Sequence, residues 1–245
     1  MEEKIIKNSD KVIGEYEIRK LEVDYDVQDV NARYMKLYTA LVYDAMEAFG
    51  LHGRALESGI YPLVHTMKCA GPAFTWLRRS TPESDTWTRQ VSLGSMRSMT
   101  PGCVLVNDPA GNDNCGQFGE ITATAIRARG VTGYIGDFST RDSNALIEMD
   151  FPTFVRYRNP VEGLGRCVVY DYQVPIYLRG IDGKILINPG DYIFADNDGV
   201  VVVPKDMTLK VLEQAETWFY AEGQSRAAIA AGEDPIEVYN KYGRF

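Results

Sequence analysis

The stretch that decides the fold runs from Gly119 to Asp142, GEITATAIRARGVTGYIGDFSTRD. Its first half predicts a helix over Phe118–Arg129, with Ile121, Ala125 and Ala128 on one side. Glu120 stands in the first turn, Arg127 and Arg129 in the last, and Gly130 is the stop. The apolar run Val131 to Ile135 then predicts a buried strand ending at Gly136-Asp137. The loop after it delivers Arg141-Asp142 past the strand's carboxyl end, where α/β sheets place their ligand sites. Upstream, the turn Pro101-Gly102 leads into Cys103–Val106, a second buried strand, so the middle of the chain has βαβ character.

Working outward, Tyr34, Leu37, Tyr38, Leu41, Ala45 and Phe49 predict one helix from Arg33 to Phe49, ended by Gly50. Val64 to Trp76 reads as extended structure broken by Gly71-Pro72. Between Arg166 and Pro204, short apolar runs alternate with the turn signals Gly180 to Gly183, Asn188-Pro189-Gly190 and Asp196 to Gly199, so strands dominate there. A long helix follows Pro204, with Met207, Val211, Ala215, Trp218 and Phe219 on one face and Gly232 as terminator. Asp234-Pro235-Ile236-Glu237 opens a last short one with an N-cap and a first-position proline. The fold class is α/β. The expected organisation is an N-terminal appendage over 1–30, a main domain over 31–204 and C-terminal helices over 205–245.

At 245 residues, with a formal charge of −8 and a pI near 4.9, the chain is long enough for a sizeable core and repels phosphate backbones at long range. No nucleic-acid partner is expected. The charged N-terminus is not a secretory leader and no apolar run suffices to cross a bilayer, so no membrane partner is expected and the expected location is cytoplasmic. Cys69, Cys103, Cys115 and Cys167 are widely spaced and read as reduced core residues. His52 and His65 are too few for a histidine metal site. Nucleophile-elbow, Walker and dinucleotide signatures are absent.

What remains is the Gly119–Asp142 segment. Its helix start offers unpaired backbone N–H groups to a carboxylate. Arg141 supplies a planar cation able to grip a carboxylate or stabilise an enolate oxygen. Asp142 is a hard oxygen donor suited to magnesium or manganese. Together they suit a 2-oxo acid. A solvated Arg–Asp pair or a helix cap accounts for the same residues, and Glu120 is equally an ordinary first-turn acid.

The chain resembles the RraA-like family, which includes 4-hydroxy-4-methyl-2-oxoglutarate aldolases and ribonuclease E activity regulators. Four segments between about Leu37 and Pro204 carry the likeness: Val42–Gly50, Ala70–Thr75, Gly119–Asp142 and Asn188–Pro204. The resemblance implies a swivelling β/β/α domain with helical N- and C-terminal extensions, assembled as a homotrimer or homohexamer with sites between subunits. It further implies a divalent-metal lyase that releases pyruvate from 4-hydroxy-2-oxo acids and also decarboxylates oxaloacetate, with Mg²⁺ or Mn²⁺ as cofactor. Carried over, Asp142 is the metal ligand and Arg141 the substrate and enolate-binding group. Backbone amides around Gly119, Ile121 and Thr122 bind the carboxylate, and Glu120 contacts metal-bound water. A neighbouring subunit's acid is expected too; Glu222 is the candidate, a solvent-facing helix acid the alternative. The chain departs from the family at Phe138-Ser139-Thr140, commonly Gly-Ala-Val, which sets a ring and two hydroxyls beside the expected metal. Glu120 also replaces a shorter Asp found in some aldolases.

Two other functions compete. A non-enzymatic regulator would bind ribonuclease E; regulatory relatives tend to lack the metal-binding Asp, which this chain has. A Schiff-base enzyme would use Lys68 as nucleophile.

Overall fold

A computed structural model of the chain describes residues 17–82, 86–112 and 114–244. In order its elements are α1 (Val27–Tyr34), α2 (Thr39–Ala48), β1 (Tyr61–Pro62), β2 (Cys69–Ser80), α3 (Thr86–Ser98), β3 (Val104–Asp108), α4 (Glu120–Arg127) and β4 (Gly133–Gly136). There follow β5 (Ser139–Thr140), α5 (Ser143–Glu148), β6 (Thr153–Val155), β7 (Tyr157–Arg158), β8 (Cys167–Tyr172), β9 (Ile176–Gly180) and β10 (Gly183–Ile187). The chain closes with β11 (Tyr192–Asp196), β12 (Gly199–Val203), a 3₁₀ turn (Lys205–Met207), α6 (Thr208–Ala230) and α7 (Pro235–Tyr242).

The spine is β2. It pairs antiparallel with β11 through Cys69–Pro72, parallel with β3 through Ala73–Leu77, and antiparallel with β8 through Trp76–Ser80. The main sheet therefore has the order β1-β6-β4-β3-β2-β11-β12, with β8 branching from β2. Helix α4 links the parallel neighbours β3 and β4, as the central βαβ reading expects.

Strict alternation of side chains sorts the core into layers. Leu105 and Tyr134 face one cluster with Phe74, Trp76, Phe118 and Phe151. Val104, Val106 and Ile135 face another, closed by Ile176, Leu178, Ile185 and Ile187 of the β9–β10 hairpin. Along β12, Val200 and Val202 join that second cluster, while Val201 and Val203 pack on Tyr34, Leu41, Val211 and Leu212 of the helices. The Val200–Val203 run is unbroken because both of its faces are covered. All four cysteines are buried and free.

Several expectations need correction. The helix over Arg33–Phe49 is two helices, because tertiary partners cap the break. The Asp196 carboxylate accepts the Thr39 N–H at 2.8 Å and its hydroxyl at 2.6 Å, and Lys68 Nζ donates to the carbonyls of Met35 (2.9 Å) and Leu37. The extended segment begins at Cys69 rather than Val64 and runs unbroken through Gly71-Pro72 to Ser80. Gly71 is there for close approach: a Cβ on it would lie 2.1 Å from the Gly102 carbonyl oxygen, on the neighbouring turn. Helix α4 buries Ala123 and Ile126, not the Ile121, Ala125 and Ala128 stripe, because Phe118 stacks on Tyr134 at 3.9 Å and sets the rotation. Helices α3 and α5 and the short strands β1, β5, β6 and β7 carry no clear local signal; α3 is rich in Ser and Thr, weak helix formers, and is held against β8.

The two C-terminal helices form where expected, although Phe219 of the expected face is exposed. Asp234 caps α7 through the N–H groups of Ile236 (2.8 Å) and Glu237 (3.2 Å), and α6 lays Val211, Leu212 and Ala215 on the helical face of the sheet. The boundary placed at residue 30 falls inside α1 (Val27–Tyr34), and Arg19, before it, pairs with Asp171 of β8 at 2.5 Å. Residues 1–16 of the expected appendage lie outside the described residues.

Past the end of β4, the buried Asp137 carboxylate holds Arg156 and Arg179 together, accepting from Arg179 Nε at 3.0 Å and from Arg156 Nε. It joins the β4 end to the hairpin strand β9. Replacement by Ala leaves the mostly buried Arg156 cation with only the half-exposed Glu57, at 2.8 Å, as an acidic partner, and Asp137→Ala is expected to lose about 2 kcal/mol of unfolding free energy in urea titrations. A loss below about 1 kcal/mol would show that solvent satisfies both arginines.

Candidate active site

The segment Gly116–Gly119 is laced to the strand residues that precede Arg141. Ser139 Oγ donates to the Cys115 carbonyl at 2.7 Å, Thr140 Oγ1 to the Phe118 carbonyl at 2.8 Å, and the Arg141 N–H to that same Phe118 oxygen at 2.8 Å. The expected pair of hydroxyls beside a metal is thus corrected. Ser139 and Thr140 are buried and spend their hydroxyls on backbone carbonyls. The Phe138 ring lies under Arg179 at 5.5 Å and does not line the cleft.

This lacing brings Gly119 against the two functional candidates. A Cβ on Gly119 would lie 2.5 Å from Asp142 Oδ2 and 3.1 Å from Arg141 Cγ, so any side chain there pushes the pair out of this position. Asp142 has a left-handed backbone (φ 55°) at the N-cap of α5, a conformation that Asp tolerates better than most residues. Its side chain does not cap that helix. Instead Oδ2 accepts from the Glu120 N–H at 3.2 Å and from Arg141 Nε at 3.3 Å, while Oδ1 accepts nothing among the described residues. Both side chains are only about a third exposed.

Above them is the start of α4. Glu120 N–H is taken by Asp142 and Ala123 N–H by the Gly119 carbonyl, which leaves the Ile121 and Thr122 amides without protein acceptors among the described residues. They and the helix dipole favour an anion at this spot. Ile121 itself is 81% exposed, unlike the core residue the sequence suggests.

These groups border a cleft of about 340 Å³, whose lining includes Trp76, Arg78, Gly119, Thr122, Arg141 and Asp142. Gly119, Ile121, Thr122, Arg141 and Asp142 thus come together as expected. Glu120 does not line the cleft. Its carboxylate accepts from Thr124 Oγ1 at 2.8 Å and borders a shallow depression on the other side of Asp142, shared with Glu148 and Met149.

Two further candidates sit elsewhere. Glu222 is mostly buried, not solvent-facing: Arg244 grips it at 2.7 Å and Tyr38 donates its hydroxyl to it. Lys68 caps carbonyls between α1 and α2 and lies over the Phe194 ring, outside the cleft.

Sequence reasoning missed Arg78, Asn107 and Gln117. Arg78 is 9% exposed on β2, donating Nε to Asn107 Oδ1 at 2.7 Å and Nη2 to the Gln117 carbonyl at 2.5 Å; Asn107 Nδ2 donates to Gln117 Oε1 at 3.0 Å. Alternation was the available signal: once the strand continues past Trp76, residues 74, 76 and 78 share a face. Burial pushes the Cys167 thiol in the cleft wall up, which leaves it protonated and a poor nucleophile.

No group of three or more His, Cys, Asp and Glu side chains gathers to hold a metal ion among the described residues. The donor set fits Mg²⁺ in its usual form, in which one or two carboxylates bind the ion and water and substrate oxygens complete the shell. Asp142, with Oδ1 unengaged, is the ligand available. No helix among the described residues is long and apolar enough to cross a membrane.

Protein DlpA of Legionella pneumophila is 30% identical over 196 residues, covering 79% of this chain but only 30% of DlpA, so the chain spans under a third of that relative. A protein of Halalkalibacterium halodurans named "Putative 4-hydroxy-4-methyl-2-oxoglutarate aldolase" is 28% identical over 188 residues, 77% of this chain and 82% of its own length. The crystal structure of an uncharacterized protein from Pseudomonas syringae pv. tomato superposes with a TM-score of 0.76 at 27% identity, covering 94% of this chain and 99% of that one. Residues 39–202 match the model of the RraA-like family, described as Aldolase/RraA, and with the sheet order and the Gly119–Asp142 unit in place, the chain belongs to that family.

Proposed function

We propose that this protein is a lyase that cleaves a 4-hydroxy-2-oxo acid between C3 and C4 and releases pyruvate, with Mg²⁺ or Mn²⁺ held at Asp142. The observation that carries the reading is the joining of Arg141 Nε to Asp142 Oδ2 at 3.3 Å, at the edge of a cleft roofed by two unpartnered helix amides. A cation, a metal-ligating carboxylate with Oδ1 unengaged and an anion receptor meet there.

The Ile121 and Thr122 N–H groups bind the C1 carboxylate. Arg141 sits where negative charge gathers on the C2 oxygen, and its fixed fork stabilises that charge without reorganising. The divalent ion, when bound, supplies Lewis-acid polarisation of the keto oxygen. Water beside Asp142 takes the proton of the 4-hydroxyl and passes it to the Glu120 carboxylate, which borders Asp142 from outside the cleft. As the C3–C4 bond breaks, its electron pair moves through C3 onto the C2 oxygen; protonation of C3 then yields pyruvate. The same charge build-up accompanies loss of CO₂ from oxaloacetate, so decarboxylation is a second expected activity. The proposed assembly is a homotrimer or homohexamer, in which a neighbouring subunit supplies a further acid.

Pyruvate release from 4-hydroxy-4-methyl-2-oxoglutarate, followed with added Mg²⁺ or Mn²⁺ and with EDTA, tests the proposal. Asp142→Ala is expected to lower kcat/KM at least about 100-fold, and Arg141→Lys, which keeps charge but loses the fork, about 10- to 100-fold. Turnover unaffected by EDTA, or a wild-type rate from Asp142→Ala, would sink the reading. Retention of ribonuclease E from a lysate with no turnover of any oxo acid would favour a regulator instead.

Gly119→Ala probes the packing separately. The added methyl displaces the Asp142 carboxylate or the Arg141 stem, so turnover is expected to fall about tenfold or more while the thermal midpoint stays within a few degrees. Normal turnover in that variant would show that the pair has room to shift.

A further inference from the structure

The cleft contains a cation that the proposed chemistry leaves unused. The guanidinium of Arg78 is nine-tenths buried, lines the same cleft as Arg141, and meets only neutral groups, Asn107 Oδ1, the Gln117 carbonyl and the Cys167 thiol. No acidic side chain pairs with it among the described residues. Asp142, one acid of the cleft wall, is taken up by Arg141, and Glu162, the other, is exposed. A buried charge without an opposite charge is costly, and an anionic ligand is the natural complement.

Its placement relative to Arg141 follows from the chain. Arg78 Nη2 donates to the carbonyl of Gln117 and the Arg141 N–H to the carbonyl of Phe118, so the two arginines are anchored on consecutive residues of one segment. Nε and one proton of Nη2 make this anchoring, which holds the fork in place; a further contact goes to the Cys167 thiol, and of the five guanidinium protons at least two keep no strong acceptor. Trp76 packs beside the fork, 5.4 Å from ring centroid to Cζ. Its indole Nε1–H is buried and has no acceptor in the protein.

We propose that Arg78 is the residue that receives the distal carboxylate of a 2-oxo diacid in this cleft. The 2-oxo acid end lies at Arg141 and the α4 amides, and the distal carboxylate lies at Arg78. The assignment rests on the 2-oxo acid reading above and adds to it the residue that distinguishes diacids from monoacids.

Isothermal titration of the full chain with Mg²⁺ present, using 2-oxoglutarate, its distal monoamide and pyruvate, provides the test. The diacid is expected to bind about tenfold or more tightly than either of the others. Arg78→Gln is expected to erase that preference while pyruvate affinity changes less than about twofold. Equal binding of the three by the wild type, binding of none of them, or a preference that survives Arg78→Gln overturns the assignment. If the variant does not fold, the wild-type contrast between 2-oxoglutarate and the monoamide decides alone, since the two differ chiefly in the distal charge. A diacid preference lost in Arg78→Gln, together with no pyruvate from any 4-hydroxy-2-oxo acid, would defeat the lyase reading and leave Arg78 assigned. Pyruvate release without a diacid preference would do the reverse.

Discussion

The site depends on the absence of a side chain at Gly119. With nothing projecting from that Cα, the segment entering α4 approaches the Arg141–Asp142 pair within van der Waals distance, and the Asp142 carboxylate reaches the Glu120 N–H. One carboxylate oxygen thereby joins the first turn of α4 to the Arg141 guanidinium. Remove that proximity and the cation, the anion and the free amides no longer border one cleft.

The approach is enforced from below. Phe118 is stacked on Tyr134, and the carbonyls of Cys115 and Phe118 are tied by the hydroxyls of Ser139 and Thr140. Two residues that look like polar intruders in a binding site are therefore internal fasteners. Their hydroxyls are satisfied in the interior, where an unmade hydrogen bond would be costly. The loop carrying Arg141 can end in a left-handed Asp142 because the residues before it are pinned at both backbone and side chain.

Beneath the site, the sheet is rigid because its central strands are covered on both faces. One cluster lies under the helices α4 and α5, another under the β9–β10 hairpin, and a third under α1, α2 and α6. β2 serves all three regions by changing partners along its length, and it leads the buried cation of Arg78 into the cleft from the core side. The polar network of Arg78, Asn107 and Gln117 thus belongs to the sheet while it lines the cleft.

Much of this was legible in the order of residues. The helix-turn-strand-loop of Gly119–Asp142, the strand-rich span after Arg166, the terminator Gly232 and the Asp234 cap are local signals, set by near neighbours in the chain, and they hold in the structure. Arg141, Asp142 and the α4 amides were visible because a loop following a strand of a βαβ unit ends beside the next ligand position. What tertiary structure alone decided involves partners distant in sequence. Asp196 and Lys68 split one predicted helix into two, the stacking of Phe118 on Tyr134 turned Ile121 outward, and the pairing of β2 with β8 carried Arg78 inward. Periodicity within a window reports which residues share a face, but not what covers that face or which distant group takes the ends of an element.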